Sequence, residues 1–228
     1  QRREFLREVT EDAGEARLLR AIRSPRQLEE VMVDFWFNHF NVFQQKGLVQ
    51  VMVARYEEDA IRPHALGRFR DLLGATAKSP AMLFYLDNWI STAPGFRPLV
   101  SPANAPPASG LNENYARELM ELHTLGVDGG YTQRDVTELA RMLTGWTFDP
   151  RSGQFAYVDR RHDAGEKLWL GRRVASNGQQ EGEFALDVLA DAPATARHVS
   201  YKLAQYFVAD EPPRSEEHTS ELQSLAYL

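Results

Sequence analysis

Two helices joined by a short glycine-rich turn form the part of this sequence that limits the fold most strongly. Residues 112–126 read NENYARELMELHTLG and end in Gly126, a residue type that readily adopts the left-handed conformation found after a helix. Thr132 and Asp135 have the N-cap and N3 spacing of a capping box, and apolar residues then recur at helical spacing as far as Gly145. The pattern predicts a helical hairpin.

The first helix of this hairpin carries two neighbouring stripes of different chemistry. One stripe is apolar and ends in His123. The other is polar and consists of Asn114, Arg117, Glu118 and Glu121. On a solvated helix face, such charge pairs contribute only about a few tenths of a kcal/mol each. The alternative is that the polar stripe, together with Asn112 and Glu113, points into a cleft, and the spacing alone does not decide between the two.

Helical periodicity covers most of the remaining chain. Further helices are predicted at residues 4–22, 25–39, 48–61, 65–77, 80–90, 183–190 and 193–208. Residues 154–158 and 167–170 instead contain aromatic and branched side chains, which are typical of short strands. The predicted fold class is therefore mainly α, a multi-helix, bundle-like domain with one small β-hairpin near residues 154–170.

Polar residues near two helix ends are further candidates for a site. His39 ends the apolar stripe of its helix and is flanked by Asn38, where an ordinary core has no amides. Asp87 and Asn88 lie near the C-terminus of a predicted helix, where the helix dipole favours cations over carboxylates. Each set also has a simpler interpretation, a hydrogen-bonded core histidine in the first case and solvated end residues in the second.

Composition and motif content exclude several classes of function. The formal net charge of −6 offers no basic footprint for nucleic acid. No apolar run approaches the roughly 18 residues of a membrane span, and the lack of cysteine excludes disulfides and thiolate metal sites. The nucleophile elbow Gly-x-Ser-x-Gly, the phosphate-binding Gly-Lys-Ser/Thr loop and the dinucleotide fingerprint are all missing from the sequence.

The two ends of the chain affect its expected domain organisation. From Arg214 the sequence resembles the in-frame translation of a sequencing adapter, so residues 214–228 are expected to be a disordered, non-native tail. The first residue is not Met. We therefore expect residues 1–213 to be a single helical domain, truncated from a longer gene product, with a Pro- and Ser-rich loop at residues 91–110.

Several ordered sequence blocks carry a family resemblance. The main block comprises residues 112–126, 131–132 and 135–146 of the helical hairpin. The smaller blocks are Trp36-Phe-Asn-His-Phe40, Tyr85-Leu-Asp-Asn88, His162-Asp-Ala-Gly165 with Lys167 and Leu170-Gly171, and Thr195-Ala-Arg197 with Lys202-Leu203 and Phe207-Val208. Together they closely resemble the bacterial family catalogued as domain of unknown function 1800.

The resemblance has two departures and several implications. Ala192 precedes Pro193 where the family tends to have histidine, and His198 stands where an apolar aromatic residue is usual. Membership implies a mostly helical protein that is often exported, to the periplasm or outside the cell. It also implies a partner, an exported protein of a sulfatase-like family encoded by a neighbouring gene. It implies no particular reaction.

The first functional hypothesis is a ligand-binding or assembly module of an exported system, with a polar cluster between its helices. In such a cluster Arg117 pairs with Glu113 or Glu118, and Arg141 pairs with Glu138, because an unpaired buried charge is costly. The candidate ligand-binding residues are Asn38, His39, Asp87, Asn88, Asn112, Asn114, Arg117, His123, Trp146, His162 and Asp163.

The second hypothesis is a hydrolase, in which Glu113 or Glu118 serves as general acid or base and Arg117 binds an anionic group. His39 or His123 would then share in proton transfer. A metal-assisted form would draw its ligands from His39, Glu118, His123 and the pair His162-Asp163, since imidazole and carboxylate suit zinc, iron or manganese. Whether the chain is an enzyme, and which cofactor or metal it uses, is open at this level.

Overall fold

A computed structural model describes residues 2–97 and 110–212, and it divides the chain into two compact units, Gln1–Tyr85 and Leu86–Leu228. The tail expected from Arg214 lies outside the described residues, as does most of the loop predicted at residues 91–110. The helical hairpin, and the family blocks that follow it, belong to the second unit.

The first unit is helical throughout its described elements. These are α1 (Arg2–Arg23), α2 (Gln27–His39), α3 (Val49–Arg55), α4 (Phe69–Lys78) and α5 (Pro80–Tyr85). Helix α3 continues directly into a π-helical turn, Tyr56–Ile61, and then into a 3₁₀ turn, Arg62–His64.

Buried aromatic residues of α2 and of the π-helical turn form the core of this unit. Trp36 is 7% exposed, and its Nε1 donates a hydrogen bond of 2.9 Å to the carbonyl of Ala65. The Tyr56 hydroxyl donates a bond of 2.7 Å to the carbonyl of Phe40. These bonds satisfy the polar ends of large aromatic side chains inside the core, as burial of such groups requires.

The π-helical turn also places a carboxylate, Glu57, in a buried position. Arg62 donates to Glu57 at 3.0 Å and grips Glu30 with two bonds of 3.0 and 2.9 Å. Arg17 and Arg20 approach the same Glu57 carboxylate at 3.6 and 3.4 Å. The hydrogen bond from Arg62 is the main cause that lowers the pKa of Glu30 below its usual range.

The second unit combines four helices with two strand pairs in its described part. In chain order these are α6 (Asn114–Glu121), α7 (Gln133–Met142), β1 (Trp146–Asp149), β2 (Gln154–Tyr157), β3 (Lys167–Trp169), β4 (Arg172–Val174), α8 (Gln179–Ala190) and α9 (Pro193–Phe207). Helix α7 lies at the centre of the unit, since it packs against α6, β3 and α8. Short 3₁₀ turns occur at Asn88–Ile90 and Asp159–Arg161.

The start of the second helix of the hairpin agrees with the sequence, whereas neither end of the first helix does. Helix α6 ends at Glu121 with Leu122 as its C-cap, and Gly126, although left-handed with φ of 83°, lies beyond the helix. The capping box is confirmed: Thr132 Oγ1 accepts from the amide of Asp135 at 3.3 Å, and the Asp135 carboxylate accepts from the amide of Thr132 at 2.8 Å. Helix α6 is shorter than the predicted span of 112–126. The Asn112 side chain accepts from the amide of Asn114 at 3.0 Å, and this local bond holds the chain in a turn before the helix begins.

The mainly α fold class is confirmed, although the strands pair differently from the prediction. Both predicted strands exist, but β2 pairs with β1 and β3 pairs with β4, each antiparallel, and β2 does not pair with β3. Two small hairpins therefore replace the single one expected near residues 154–170. Within the described residues, no helix combines the length and the apolar character that a membrane crossing requires.

Candidate functional site

A hydrogen-bonded group at the start of the hairpin, here termed the hairpin cluster, consists of Glu113, Arg117, Gln133 and Thr137. One oxygen of Glu113 accepts from Arg117 at 3.2 Å and from Gln133 at 2.8 Å, and the other accepts from the Thr137 hydroxyl at 2.6 Å. Arg117 also donates to the side-chain amide oxygen of Gln133, Oε1, at 3.0 Å. A single carboxylate thus links the N-terminal ends of α6 and α7, and the Arg117–Glu113 pair expected from the sequence is present.

The hairpin cluster is partly open to solvent. The side chains of Glu113 and Arg117 are 32% and 40% exposed, so their ion pair contributes no more than about 1 kcal/mol. Both oxygens of Glu113 already accept hydrogen bonds. In this arrangement Glu113 orients its neighbours and is poorly placed to act as a free base.

Glu118 differs from the other carboxylates of the hairpin. Burial raises its pKa, the nearby Glu121 raises it further, and Arg117 opposes both effects. Among the described residues, the Glu118 carboxylate accepts no side-chain hydrogen bond. The pKa of the Tyr131 phenol is raised in the same way. Burial is the larger cause, and the charge of Glu121 is the second. Glu118 is therefore the hairpin carboxylate best suited to retaining a proton.

The segment before α6 is anchored through its amides. The backbone amide of Asn112 donates to the Ser91 hydroxyl at 3.1 Å, and the Asn114 side chain donates to the carbonyl of Leu86 at 3.4 Å. Asp87 adopts the left-handed conformation, with φ of 60°, and redirects the chain into the following 3₁₀ turn.

Asn88 has an architectural position. It is 1% exposed, and its side-chain amide donates to the carbonyls of Leu143 at 3.2 Å and Trp146 at 3.1 Å. These carbonyls lie where α7 ends and β1 begins, a place where the backbone needs partners from outside the helix. Trp146 itself is fully buried, and its ring contacts that of Phe155 at a centroid distance of 5.1 Å.

A second group, the buried cluster, consists of Thr144, His162, Lys167 and Glu181. The two carboxylate oxygens of Glu181 contact His162 Nε2 at 3.0 Å and Lys167 Nζ at 2.6 Å. The other ring nitrogen of His162, Nδ1, lies 2.9 Å from the carbonyl oxygen of Thr144. All four residues are less than 9% exposed. Both nitrogens of His162 therefore face protein acceptors, and neither is open to a metal ion or a substrate.

The charge state of Glu181 follows from these contacts. Burial is the largest influence and by itself raises the pKa of this carboxyl. The hydrogen bonds from His162 and Lys167, with one from the amide of Asn177 at 2.9 Å, outweigh burial and hold the pKa below its usual range. Glu181 is consequently an ionised group inside the protein, compensated by the ammonium of Lys167 and by hydrogen bonds.

Asp163 extends this network to the surface of α7. Arg141 grips its carboxylate with bonds of 2.8 and 3.1 Å and also contacts Glu138 at 2.8 Å, so the Arg141–Glu138 pair expected from the sequence is present. Hydrogen bonding from Arg141 to Asp163 is the main cause that raises the pKa of Arg141. A Cβ at Gly165 would lie 2.7 Å from Arg141 Nη2, so this glycine leaves room for the guanidinium.

Comparison with known families bears directly on these residues. The family model described as protein of unknown function (DUF1800) matches residues 1–224. The chain belongs to this family. The matched range includes residues 214–224, which lie in the tail that the sequence analysis sets apart. No curated protein and no solved structure matches the chain significantly.

The family blocks supply most of both clusters. The main block contributes Glu113, Arg117, Thr137 and Thr144, and the block beginning at His162 contributes His162 and Lys167. In the second unit, the polar residues that carry the family resemblance are thus largely the residues that hydrogen bond to each other across elements.

The remaining predicted site residues lie elsewhere. His123 is 5% exposed, and its amide donates to the carbonyl of Glu118 at 3.0 Å. Asn38 and His39 belong to the first unit, whereas both clusters are in the second. Asn38 is exposed and donates to the carbonyl of Asp34 at 3.0 Å, and His39 is buried against the ring of Phe40 at a centroid distance of 4.6 Å.

Several cluster members were not among the sequence candidates: Gln133, Thr137, Thr144, Lys167 and Glu181. For Glu181 the sequence does hold a usable indication, because it shares a helix face with Ala185 and Leu189 at i+4 and i+8. A carboxylate on an apolar stripe requires partners. In the described part of the chain, no three His, Asp or Glu side chains are grouped so that they could hold a metal ion.

Proposed function

We propose that this chain is a non-catalytic assembly and ligand-binding module of an exported system. The observation that carries the proposal is the pairing of the family's polar residues with each other. Glu113 is held by three side chains, His162 by two acceptors, and Asp163 by Arg141. Side chains used in this way fix the relative placement of elements, a role that a scaffold requires.

The energetics of the buried cluster favour this interpretation. Removing one partner of a buried ion pair typically costs about 3–5 kcal/mol, because the remaining charge has lost its compensation. A domain that stabilises itself through such groups depends on them for its shape. Buried polar pairs can also specify one arrangement of elements over others, and this specificity is valuable in a protein that presents a fixed surface to a partner.

The partner proposed for this module is an exported protein of the sulfatase-like family that the family resemblance implies. Co-expression of the two proteins followed by affinity capture tests the proposal. We expect the wild-type chain and the surface variant Glu166→Gln to retain the partner through purification. Failure of the wild-type chain to retain it, at concentrations well above about 1 μM, would contradict the assembly role.

A hydrolase remains the second candidate, and one observation favours it. Burial and Glu121 raise the pKa of Glu118, and a carboxyl that keeps its proton is suited to general acid catalysis. The substitution Glu118→Gln separates the two functions, with Glu121→Gln as the matched control on the same helix face. The assembly proposal predicts that neither variant changes any hydrolytic activity in a broad ester and glycoside screen.

The contrary result is equally specific. An activity of the wild-type chain that falls at least about 100-fold in Glu118→Gln, while the melting temperature is retained, would establish the hydrolase and reject the non-catalytic proposal.

The pH dependence of stability tests the state of Glu118 independently of activity. Because folding raises the pKa of Glu118, the ionised carboxylate lowers stability at pH values above its folded pKa. We expect Glu118→Gln to melt at or slightly above the wild-type temperature at pH 7, and the two proteins to converge below the ordinary carboxyl pKa of about 4.3. A lower melting temperature of the variant at pH 7 would mean that Glu118 is stabilised by an ion pair instead.

A further inference from the structure

A polar cavity of about 280 Å³ lies in the second unit, lined by residues of α7 and of the β3–β4 hairpin. Four of the lining residues are cationic, namely Arg134, Arg141, Lys167 and Arg173, whereas Glu138 and Glu166 are the acidic ones. The chain as a whole carries a net charge of −6, so this local excess of positive charge runs against the composition.

Two of these cations are already committed to protein carboxylates. Arg141 is held by Asp163 and Glu138, and Lys167 contacts Glu181 at 2.6 Å. Arg134 and Arg173 differ from them, since both are exposed and the guanidinium of neither takes part in a hydrogen bond or ion pair among the described residues. The cavity is therefore bordered by two guanidinium groups whose donors are available.

The elements hold these two arginines at the same cavity. Arg134 shares a face of α7 with Glu138 and Arg141, at i+4 and i+7, and this helix packs against β3. Arg173 lies opposite Leu168 in the β3–β4 register, so both side chains project from the same face of the strand pair. Leu168 also lines the cavity, which places Arg173 on the cavity side.

We propose that this cavity binds an oxyanion group, such as a phosphate, sulfate or carboxylate, between Arg134 and Arg173. A guanidinium presents a planar fork of donors that matches two oxygens of such a group, and charge-assisted bonds of this kind are stronger than neutral ones. Without an anion, two like charges share one small cavity and repel each other. The exposed Leu168 offers an apolar contact to any organic part of the ligand.

The negative charge of Glu166 opposes the binding of an anion in this cavity. Its carboxylate lines the cavity and is exposed, and among the described residues it makes no ion pair. Neutralising Glu166 therefore strengthens anion binding, and neutralising Arg134 or Arg173 weakens it. The site is separate from the assembly role and does not depend on it.

Calorimetric titration of the whole chain with inorganic phosphate, inorganic sulfate, acetate and phenyl phosphate tests the site. We expect at least one of these four anions to bind. The substitutions Arg134→Gln and Arg173→Gln should each weaken its binding about tenfold, because each removes about one charge-assisted hydrogen bond. Arg172→Gln is the matched control, because Arg172 is exposed on the same strand and does not line the cavity. We expect the anion affinity of Arg172→Gln to stay within about twofold of the wild-type affinity, and the anion affinity of Glu166→Gln to rise above it.

The pattern of affinities identifies the source of the anion. Tighter binding of phenyl phosphate than of inorganic phosphate would support an organic ester that contacts Leu168, whereas the reverse would support a free ion in the same site. If Arg172→Gln weakened anion binding as much as the two cavity variants do, the binding would be due to diffuse surface charge and not to this cavity, and the proposal would be overturned. Absence of binding by all four compounds up to about 10 mM would overturn it as well. Unchanged melting temperatures of the four variants ensure that only binding is compared.

Discussion

At the scale of single residues, Glu181 has the most demanding environment in the second unit. It is 1% exposed and lies on the face of α8 that also carries the buried Ala185. Transfer of a carboxylate into such a position is unfavourable unless opposite charges and hydrogen bonds replace its water. Lys167 provides the opposite charge, and His162 and the amide of Asn177 provide hydrogen bonds. Because Lys167 begins β3, the placement of α8 depends on this contact.

Replacement of Glu181 by glutamine tests this dependence. The variant retains the size of the side chain but leaves the buried ammonium of Lys167 without its counter-charge, so we expect the free energy of unfolding to fall by about 3–5 kcal/mol. Urea unfolding followed by circular dichroism measures the change. The exposed Glu166→Gln is the control, with an expected change within about 0.5 kcal/mol. Equal stabilities of the two variants would show that the buried cluster contributes nothing to folding.

The contrast between Glu113 and Glu181 explains which site residues can be predicted from sequence. Arg117 is four positions after Glu113 in the sequence, and helical geometry brings such residues together, so that pair was predictable. Glu181 finds its partners on separate segments, with His162 nineteen positions away, and no local periodicity encodes that contact. The candidate site was therefore predictable where it depends on one helix and not where tertiary packing assembles it.

At the scale of elements, the start of α7 was predicted correctly, whereas the strand partners were not. The capping box of Thr132 and Asp135 is a local chemical pattern, and it places the start of α7 correctly. Strand β1 follows directly after Gly145 and reads Trp-Thr-Phe-Asp, a run too short for its alternation to stand out from the preceding helix. The turn between β3 and β4 places Leu170 in the left-handed region with φ of 47°, which residue preferences do not favour.

Two helical glycines provide a matched test of element packing. A Cβ at Gly182 in α8 would lie 2.6 Å from Cε2 of the buried Trp146, whereas a Cβ at Gly14 in α1 meets nothing within 4 Å. We expect Gly182→Ala to lower the free energy of unfolding by about 1–3 kcal/mol, because the core there cannot accept another atom. Gly14→Ala is expected to raise it by about 0.5–1 kcal/mol, because alanine favours the helix. Thermal melts compare the stability of each variant with that of the wild type. A Gly182→Ala variant that melts above the wild-type temperature would refute the close packing of α8 on β1.

At the scale of the whole molecule, carboxylates with lowered pKa values occur in both units. Glu30 represents the first unit, and Asp135, Asp163 and Glu181 represent the second. For the last three, burial is the largest influence and opposes the shift, while hydrogen bonds and neighbouring cations outweigh it. Both units therefore use ionised carboxylates as structural groups, and both must respond to acid in the same direction.

The direction follows from proton linkage and predicts the acid stability of the chain. A carboxyl whose pKa is lower in the folded than in the unfolded state stabilises the fold above its unfolded pKa of about 4, and this stability is lost as the pH falls through the folded value. We expect these carboxyls to contribute a nearly constant stability from pH 7 to 5, and the melting temperature to fall steadily below pH 5. Asp163→Asn removes one such group, so its deficit relative to the wild type shrinks as the pH falls. Differential scanning calorimetry at pH 3 to 7 measures both curves, and a melting temperature that rises on acidification would show that the buried carboxyls are protonated in the native protein.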